Sequence, residues 1–375
     1  MKLAFVVLLT VLTHVGFVGS RVTLALFALD RGASPLTIGV LMSLYAVLGM
    51  LLAVATGRLI DRIGAFRPLV AGGALLAAAI LLPCAWPALP ALYPAALFAG
   101  TAFMVQHVGL SHVAGSIGTP AERAANFSWF SVSFAIGGFF GPLIAGFAID
   151  GLGHRAAFFL LALFPAAGAL LLAWKRPPLP AGHGTPRAPG AGGVADLLRQ
   201  AQLRAALAFS GVLAMGWDLF SFVVPVYGSQ IGLPASTIGI LMGSFAAATF
   251  SVRVLMPALA RRVREWTVVA GALLVAGLAY TLLPLAVRVP PLMALCFMLG
   301  IGLGSAQPMI MAVLFSASPA GRQGEVVGMR STVLGMSTTF MPLAYGAAGS
   351  ALGIGPVIWI MAAVLLAAGW QAGRR

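Results

Sequence analysis

Six apolar runs fill residues 3–174 almost without a break, and six more fill 205–371. About 20 apolar residues in a row are what a helix needs to cross the hydrocarbon core of a bilayer. Their continuity does not suit the alternating strands of a membrane barrel. Lipid offers no hydrogen bonds, so helices are left as the way to satisfy the backbone. The expected spans are 3–28, 36–57, 67–86, 91–113, 126–149, 156–174, 205–229, 236–257, 266–286, 291–315, 326–349 and 353–371. Only 8% of the residues are charged and 61% are hydrophobic. A soluble domain carries about 25% charged residues, so water cannot be the solvent for most of this chain. The first run follows Lys2, as a signal peptide would, but it is too long for one and no clear small-residue cleavage site ends it.

The net charge of +14 raises the possibility of a nucleic-acid partner, and its distribution argues against one. Of the 22 Lys and Arg, 16 fall at the termini or in the even-numbered connections, among them Arg58, Arg62, Arg67, Lys175, Arg176, Arg187, Arg261, Arg262, Arg264, Arg374 and Arg375. Arg31, Arg155 and Arg288 lie on the other side, and Arg21, Arg253 and Arg330 lie within spans. Positive charge stays in the cytoplasm, so both termini are expected there, with the chain in a bacterial inner membrane and its basic face on anionic lipid. The two cysteines, Cys84 and Cys296, fall in apolar segments of different halves and read as inert thiols.

Residues 175–204 read KRPPLPAGHGTPRAPGAGGVADLLRQAQLR. The Pro- and Gly-rich part cannot build a core and reads as a linker; VADLLRQAQLR is periodic enough for a short interfacial helix. The expected division is therefore a six-helix half over 1–174, a cytoplasmic linker over 175–204 and a second half over 205–375. The halves are related in sequence. TIGVLM at 37–42 returns as TIGILM at 237–242, and at the same offset Gly32, Ala46, Gly16, Leu59, Arg62 and Pro142 recur as Gly232, Ala246, Gly216, Leu259, Arg262 and Pro342. Parallel repeats of this kind are a transporter architecture, with a binding site between the halves near the midplane.

The segment GRLIDRIGAFRPL at 57–69 names a family. Gly57, Leu59, Asp61, Arg62, Gly64, Arg67 and Leu69 resemble the loop between the second and third helices of the major facilitator superfamily. The resemblance extends over the whole chain and implies an all-α fold of twelve transmembrane helices in two pseudo-symmetric halves. It also gives that loop a gating role. Read as residues, Gly57 suits close helix packing, Gly64 a tight turn, and the arginines anchor the loop in the cytoplasm. Asp61 can pair with an arginine or sit at a helix N-terminus; a plain topogenic loop is the simpler reading. The second half has Arg261 in its place, so such a gate would be asymmetric.

GGFFGPLIAG at 137–146 is similar to the Gly-Pro motif of drug–proton antiporters in the same superfamily, with the last glycine displaced. Gly141 and Pro142 allow a kink and a close helix contact, and both are candidates for the gate. Proton-driven exporters of the family commonly carry an arginine near the start of the fourth helix, and none is present here.

Polar groups inside spans are costly and mark function. The first span carries His14, Phe17 and Arg21 on one face; the fourth carries Gln106 and His107; the seventh carries Trp217 and Asp218; the tenth carries Gln307 before Pro308. These four helices line the cavity in the superfamily, so these eight residues are the expected substrate site, with Asp218 and His107 as proton-coupling candidates. Each has a structural reading too, as a packing histidine or a capped helix break. Arg253 and Arg330, near cytoplasmic helix ends, are assigned to the gate. Arg21 lies about 27 Å along its helix and Asp218 about 20 Å along its own, so the two are candidates for an ion pair closing the periplasmic side.

No phosphate-binding loop, metal-ligand spacing or nucleophile–base pair is present, and no cofactor, metal or enzymatic reaction is expected. The function that follows is secondary transport of a small organic solute by a monomer, outward, with protons as candidate coupling ion. The alternatives are uptake by symport or uniport, and a non-transporting membrane sensor or membrane enzyme.

Overall fold

The computed structural model describes residues 3–118, 122–177, 194–259, 263–318 and 322–375. Helices α1 (Leu3–Asp30), α2 (Pro35–Ile63), α3 (Phe66–Ala85) and α4 (Leu89–Ser116) precede α5 (Arg123–Lys175), which turns back on itself at Gly153 and supplies two passes. A short α6 (Val194–Arg199) leads into α7 (Ala201–Gln230), α8 (Ala235–Leu259), α9 (Glu265–Leu282), α10 (Val289–Ala317), α11 (Gln323–Leu352) and α12 (Ile354–Gly373). Twelve passes result among the described residues, as the apolar runs predict, and α6 falls where the interfacial helix is expected. Most of the expected linker, 178–193, lies outside the described residues.

The glycine at each half's last turn has the same cause. Gly153 and Gly353 sit at φ 84° and 87°, a left-handed conformation that a β-carbon disfavours. Each lets one long helix reverse into the next. The reversal of α5 places α1 between its two arms: a β-carbon on Gly19 would meet Leu161 on the second arm and the Gly141 carbonyl on the first. Among the described residues α11 is the long helix without a continuous apolar stretch of membrane-spanning length, because Arg330, Ser331, Thr332, Ser337, Thr338 and Thr339 interrupt it. Trp86, Trp174 and Trp370 are exposed near helix ends, the position of interfacial anchors.

One face carries the termini. The Lys175 ammonium lies 5.5 Å from the Phe5 ring, and the Arg375 guanidinium 5.5 Å from the Trp266 ring. On the opposite, far face the two halves lock together at two crossings, α2 on α11 and α5 on α8. Each is made backbone to backbone. A β-carbon on Gly39 would collide with the Pro342 carbonyl, and one on Gly239 with the Pro142 carbonyl. Gly346 and Gly146 face the Pro35 and Ala235 carbonyls in the same way. The partners are related by the 200-residue offset, so one contact is made twice.

Side chains finish each crossing. The Leu36 N–H donates to Ser350 Oγ at 2.9 Å, while the Ala235 and Ser236 N–H groups donate to the two carboxylate oxygens of Asp150 at 3.0 and 2.8 Å. The first N–H groups of a helix have no partner within it. α2 has its own cap in Ser34, whose Oγ accepts from the Thr37 N–H. α8 follows Leu233-Pro234, which supplies no capping side chain, so Asp150 from the other half caps it and its negative charge meets the positive helix end.

Gly346→Leu or Gly239→Leu should force the crossings apart, at a cost of about 1–3 kcal/mol for overpacking. The readout is disulfide yield between Leu36→Cys and Ser350→Cys in a Cys84→Ala, Cys296→Ala background. Gly346→Leu is expected to abolish the yield and Gly271→Leu, where a β-carbon meets nothing within 4 Å, to leave it unchanged.

Candidate functional site

Behind the far-face crossings the halves enclose a cavity of about 300 Å³, at the lower end of the range for small-molecule pockets. α1 contributes His14, Phe17, Val18 and Arg21; the first arm of α5 contributes Phe134, Ala135, Gly138 and Pro142. α7 adds Trp217, Phe220 and Ser221, and α8 adds Met242, Phe245, Thr249 and Arg253. A narrow crevice continues toward the far face between Met42, Met242 and Pro225. Met42 and Met242 are the last letters of the repeated phrase, so the repeat ends at the closed end of the cavity.

Of the eight residues expected to line it, His14, Phe17, Arg21 and Trp217 are in the wall, and Gln106, His107, Asp218 and Gln307 are not. Gln106 is buried, and its Nε2 donates to the Leu69 carbonyl at 2.7 Å, which ties α4 to α3 and keeps it from the cavity wall. His107 is off the wall as well; its ring lies 5.3 Å from Phe134 and 5.8 Å from Phe130. Gln307 Oε1 accepts from Arg253 Nη2 at 2.7 Å. It therefore acts on the cavity through Arg253, a residue expected in the gate and found in the wall. The crossing of α5 on α8 carries both of those helices to the cavity, and sequence periodicity gives no sign of that crossing.

Arg21 and Asp218 do not form an ion pair. Asp218 Oδ2 accepts from the Ser337 hydroxyl of α11 at 2.7 Å. The Arg21 guanidinium lies 6.0 Å from the Phe17 ring centroid and 5.7 Å from that of Tyr45, and Nη2 approaches Met42 Sδ at 3.8 Å. Arg21 Nε and His14 Nδ1 are buried without a hydrogen-bond partner. Aromatic rings make the remaining wall: Phe17 stacks on Phe103 at 3.7 Å, Phe220 on Phe245 at 3.9 Å, and Trp217 meets Phe245 edge-on at 4.9 Å.

The gate residues divide. Gly141 packs against the backbone of α1 and Pro142 takes part in a crossing, as close helix contact requires. Gly64 ends α2 at φ 77°, its N–H donating to the Ile60 carbonyl, as the expected turn needs. Gly57 and Gly138, by contrast, have no neighbour within 4 Å of a β-carbon and pack against nothing there. Asp61, Arg62 and Arg67 are exposed, and Asp61 has no ion-pair partner among the described residues. Arg261 and Arg262 lie outside them. Arg330 is half-buried on α11, off the cavity wall, with Nε unpartnered.

Sequence reasoning missed Phe134, Phe220, Phe245 and Thr249. One signal was present: Phe245 stands 200 residues after Tyr45, and a β-carbon on Gly300 would meet the Phe245 carbonyl as one on Gly100 would meet that of Tyr45.

The profile of the Major Facilitator Superfamily matches residues 6–340. No curated protein matches the chain in sequence. Among solved structures, a POT family transporter in complex with 5-aminolevulinic acid aligns at TM-score 0.80 and 16% identity, covering 98% of this chain and 94% of that one. A bacterial homologue of the human lysosomal transporter Spinster, inward-facing and unoccupied, aligns at 0.80 and 14%, covering 99% and 96%. The nucleoside transporter NupG aligns at 0.78 and 13%, covering 99% of each chain.

Gln106→Leu should destabilise the protein by about 1–3 kcal/mol, because the Leu69 carbonyl loses its buried donor. Thermal unfolding of the purified protein checks this. An unchanged Tm combined with weaker ligand binding would return Gln106 to the cavity.

Proposed function

This chain belongs to the Major Facilitator Superfamily, and on that premise we propose that it carries a small organic solute outward across the bacterial inner membrane by alternating access. One observation carries the reading: a central cavity whose far end is closed by two pseudo-symmetric crossings between the halves. The inter-half hydrogen bonds at helix ends among the described residues, Leu36 to Ser350 and Ala235 and Ser236 to Asp150, all belong to that end. The termini face carries Arg58, Arg62, Arg67, Lys175, Arg374 and Arg375, which supports assigning it to the cytoplasm. The arrangement then corresponds to a state closed toward the periplasm. Asp61, exposed and without an ion-pair partner among the described residues, is assigned to closing the cytoplasmic end in the opposite state, together with Arg62 and Arg67. Outward direction is supported by the resemblance of residues 137–146 to antiporter sequences.

Coupling divides two readings. Asp218, held by Ser337 inside the second half, and His107 are the candidate proton sites. The absence of any Lys or Arg from α4 favours export without proton exchange. Inverted vesicles separate them: an imposed pH gradient drives accumulation in the first reading, and a membrane potential alone drives it in the second.

Alternating access itself is tested by the Leu36→Cys, Ser350→Cys disulfide. Oxidation should stop transport and reduction should restore it, because the far face must open in each cycle. Transport that continues with the disulfide formed removes the reading. Asp61→Asn should lower turnover per molecule at least several-fold while leaving the amount of folded protein unchanged; equal loss of both would make the loop topogenic only.

A further inference from the structure

The transport reading leaves the solute's chemistry open, and the cavity's charges constrain it. The chain has eight acids. Asp30, Asp61, Glu122, Asp150, Asp196, Glu265 and Glu325 all lie at helix ends, in connections or on the short α6. Asp218 is the only one inside a pass, and it is absent from the cavity wall, its carboxylate engaged by Ser337. The wall instead carries Arg21, Arg253 and His14.

Arg21 is the least satisfied of these groups. A guanidinium has five N–H donors and a thioether is a weak acceptor. Its described partners are the Met42 sulfur and two aromatic faces, and Nε has none. His14 Nδ1, on the same face of α1, has none either. Arg21 thus keeps donors free of hydrogen bonds toward the closed end of the cavity; Asp218 acts on it through space, with its carboxylate hydrogen-bonded to Ser337 instead. Arg253, satisfied in part by Gln307, stands nearer the other end. By helical rise Arg21 lies about 14 Å and Arg253 about 27 Å from the far ends of their helices. A solute entering from the termini face passes Arg253 before it reaches Arg21. Between them the walls are rings: Phe17, Phe134, Trp217, Phe220 and Phe245.

We infer that the cavity binds an organic anion, a carboxylate on a flat apolar body, with the carboxylate on Arg21 and the body between the rings. A guanidinium matches the planar, two-oxygen geometry of a carboxylate. His14 is placed to serve a second polar atom. The inference rests on the transport reading, but its own test reads binding at equilibrium and needs no transport, so a failure of anion binding and a failure of the disulfide-locked transport test are distinguishable.

The test compares 2-naphthoate, 2-naphthamide and 2-naphthylmethylammonium on the purified full chain, by thermal shift and by titration of tryptophan fluorescence. The expected result is binding of 2-naphthoate at least tenfold tighter than the amide, with the cation weakest. Arg21→Met should remove that preference and Arg21→Lys should restore part of it. Equal binding of acid and amide, tighter binding of the cation, or no binding of any of the three overturns the inference. So does an Arg21→Met protein that keeps the preference. The acid-to-amide ratio on the unaltered protein decides the matter even where Arg21→Met does not fold.

Discussion

Two places where one half's glycine lies on the other half's carbonyl hold this molecule together at the far face. Gly39 on Pro342 and Gly239 on Pro142 permit helix axes to approach more closely than any residue with a β-carbon allows. In lipid the hydrophobic effect does not drive helices together, so close backbone packing and directed hydrogen bonds must do so. The Asp150 and Ser350 contacts supply the hydrogen bonds at the same two points. Because they join N–H groups at helix starts, they satisfy donors that lipid headgroups or water would otherwise have to meet. Contacts this close at the far end leave a space between the halves behind them, and the cavity lies in that space.

The two crossings are related but not identical. The offset pairs Asp150 with Ser350, a charged acceptor with a neutral one. Charge-assisted hydrogen bonds are roughly twice as strong as neutral ones, although Asp150 is exposed and water weakens its advantage. α8 depends on Asp150 for its cap, whereas α2 keeps Ser34 when the halves part. Opening the far face therefore disrupts α5 on α8 more than α2 on α11. The cavity wall follows the same inequality: α5 and α8 line the main cavity, while α2 reaches only the crevice at its closed end through Met42.

The spans, the reversal into two halves and the repeat were all legible, because each is a one-dimensional pattern. Hydrophobic length gives a pass, and an offset of 200 gives a partner. Of the expected cavity residues, His14, Phe17 and Arg21 on α1 and Trp217 on α7 lie in the wall, and Arg21 Nε and His14 Nδ1 find no hydrogen-bond partner there. The cavity was misread on α4, where Gln106 satisfies the Leu69 carbonyl and so is structural. The expected Arg21–Asp218 pair failed for a geometric reason. Rise along a helix gives depth but not direction, and successive residues differ by about 100° around the axis. Trp217 therefore faces the cavity while Asp218 faces Ser337 on α11. Gly57 shows the limit of motif reading: the residue matches its family pattern, and no described residue comes within 4 Å of where its β-carbon would be.

A cell interior is electrically negative, and moving one elementary charge through 100 mV is worth about 2.3 kcal/mol. For the organic anion inferred above, that field favours exit, and a 100-fold gradient against it would cost about 2.7 kcal/mol at 25 °C. A potential a little above 100 mV thus supports outward movement of a monoanion against a gradient of that size without any proton. A carrier of this kind needs no titrating group in its cavity and no cationic relay on α4. It needs cations whose donors are left for the solute, and an acid hydrogen-bonded elsewhere rather than to them. Arg21, with its unpartnered Nε, and Asp218, engaged by Ser337, meet that description. The same arrangement would oppose uptake of an anion, since entry works against the field while Arg21 holds the charge at the closed end.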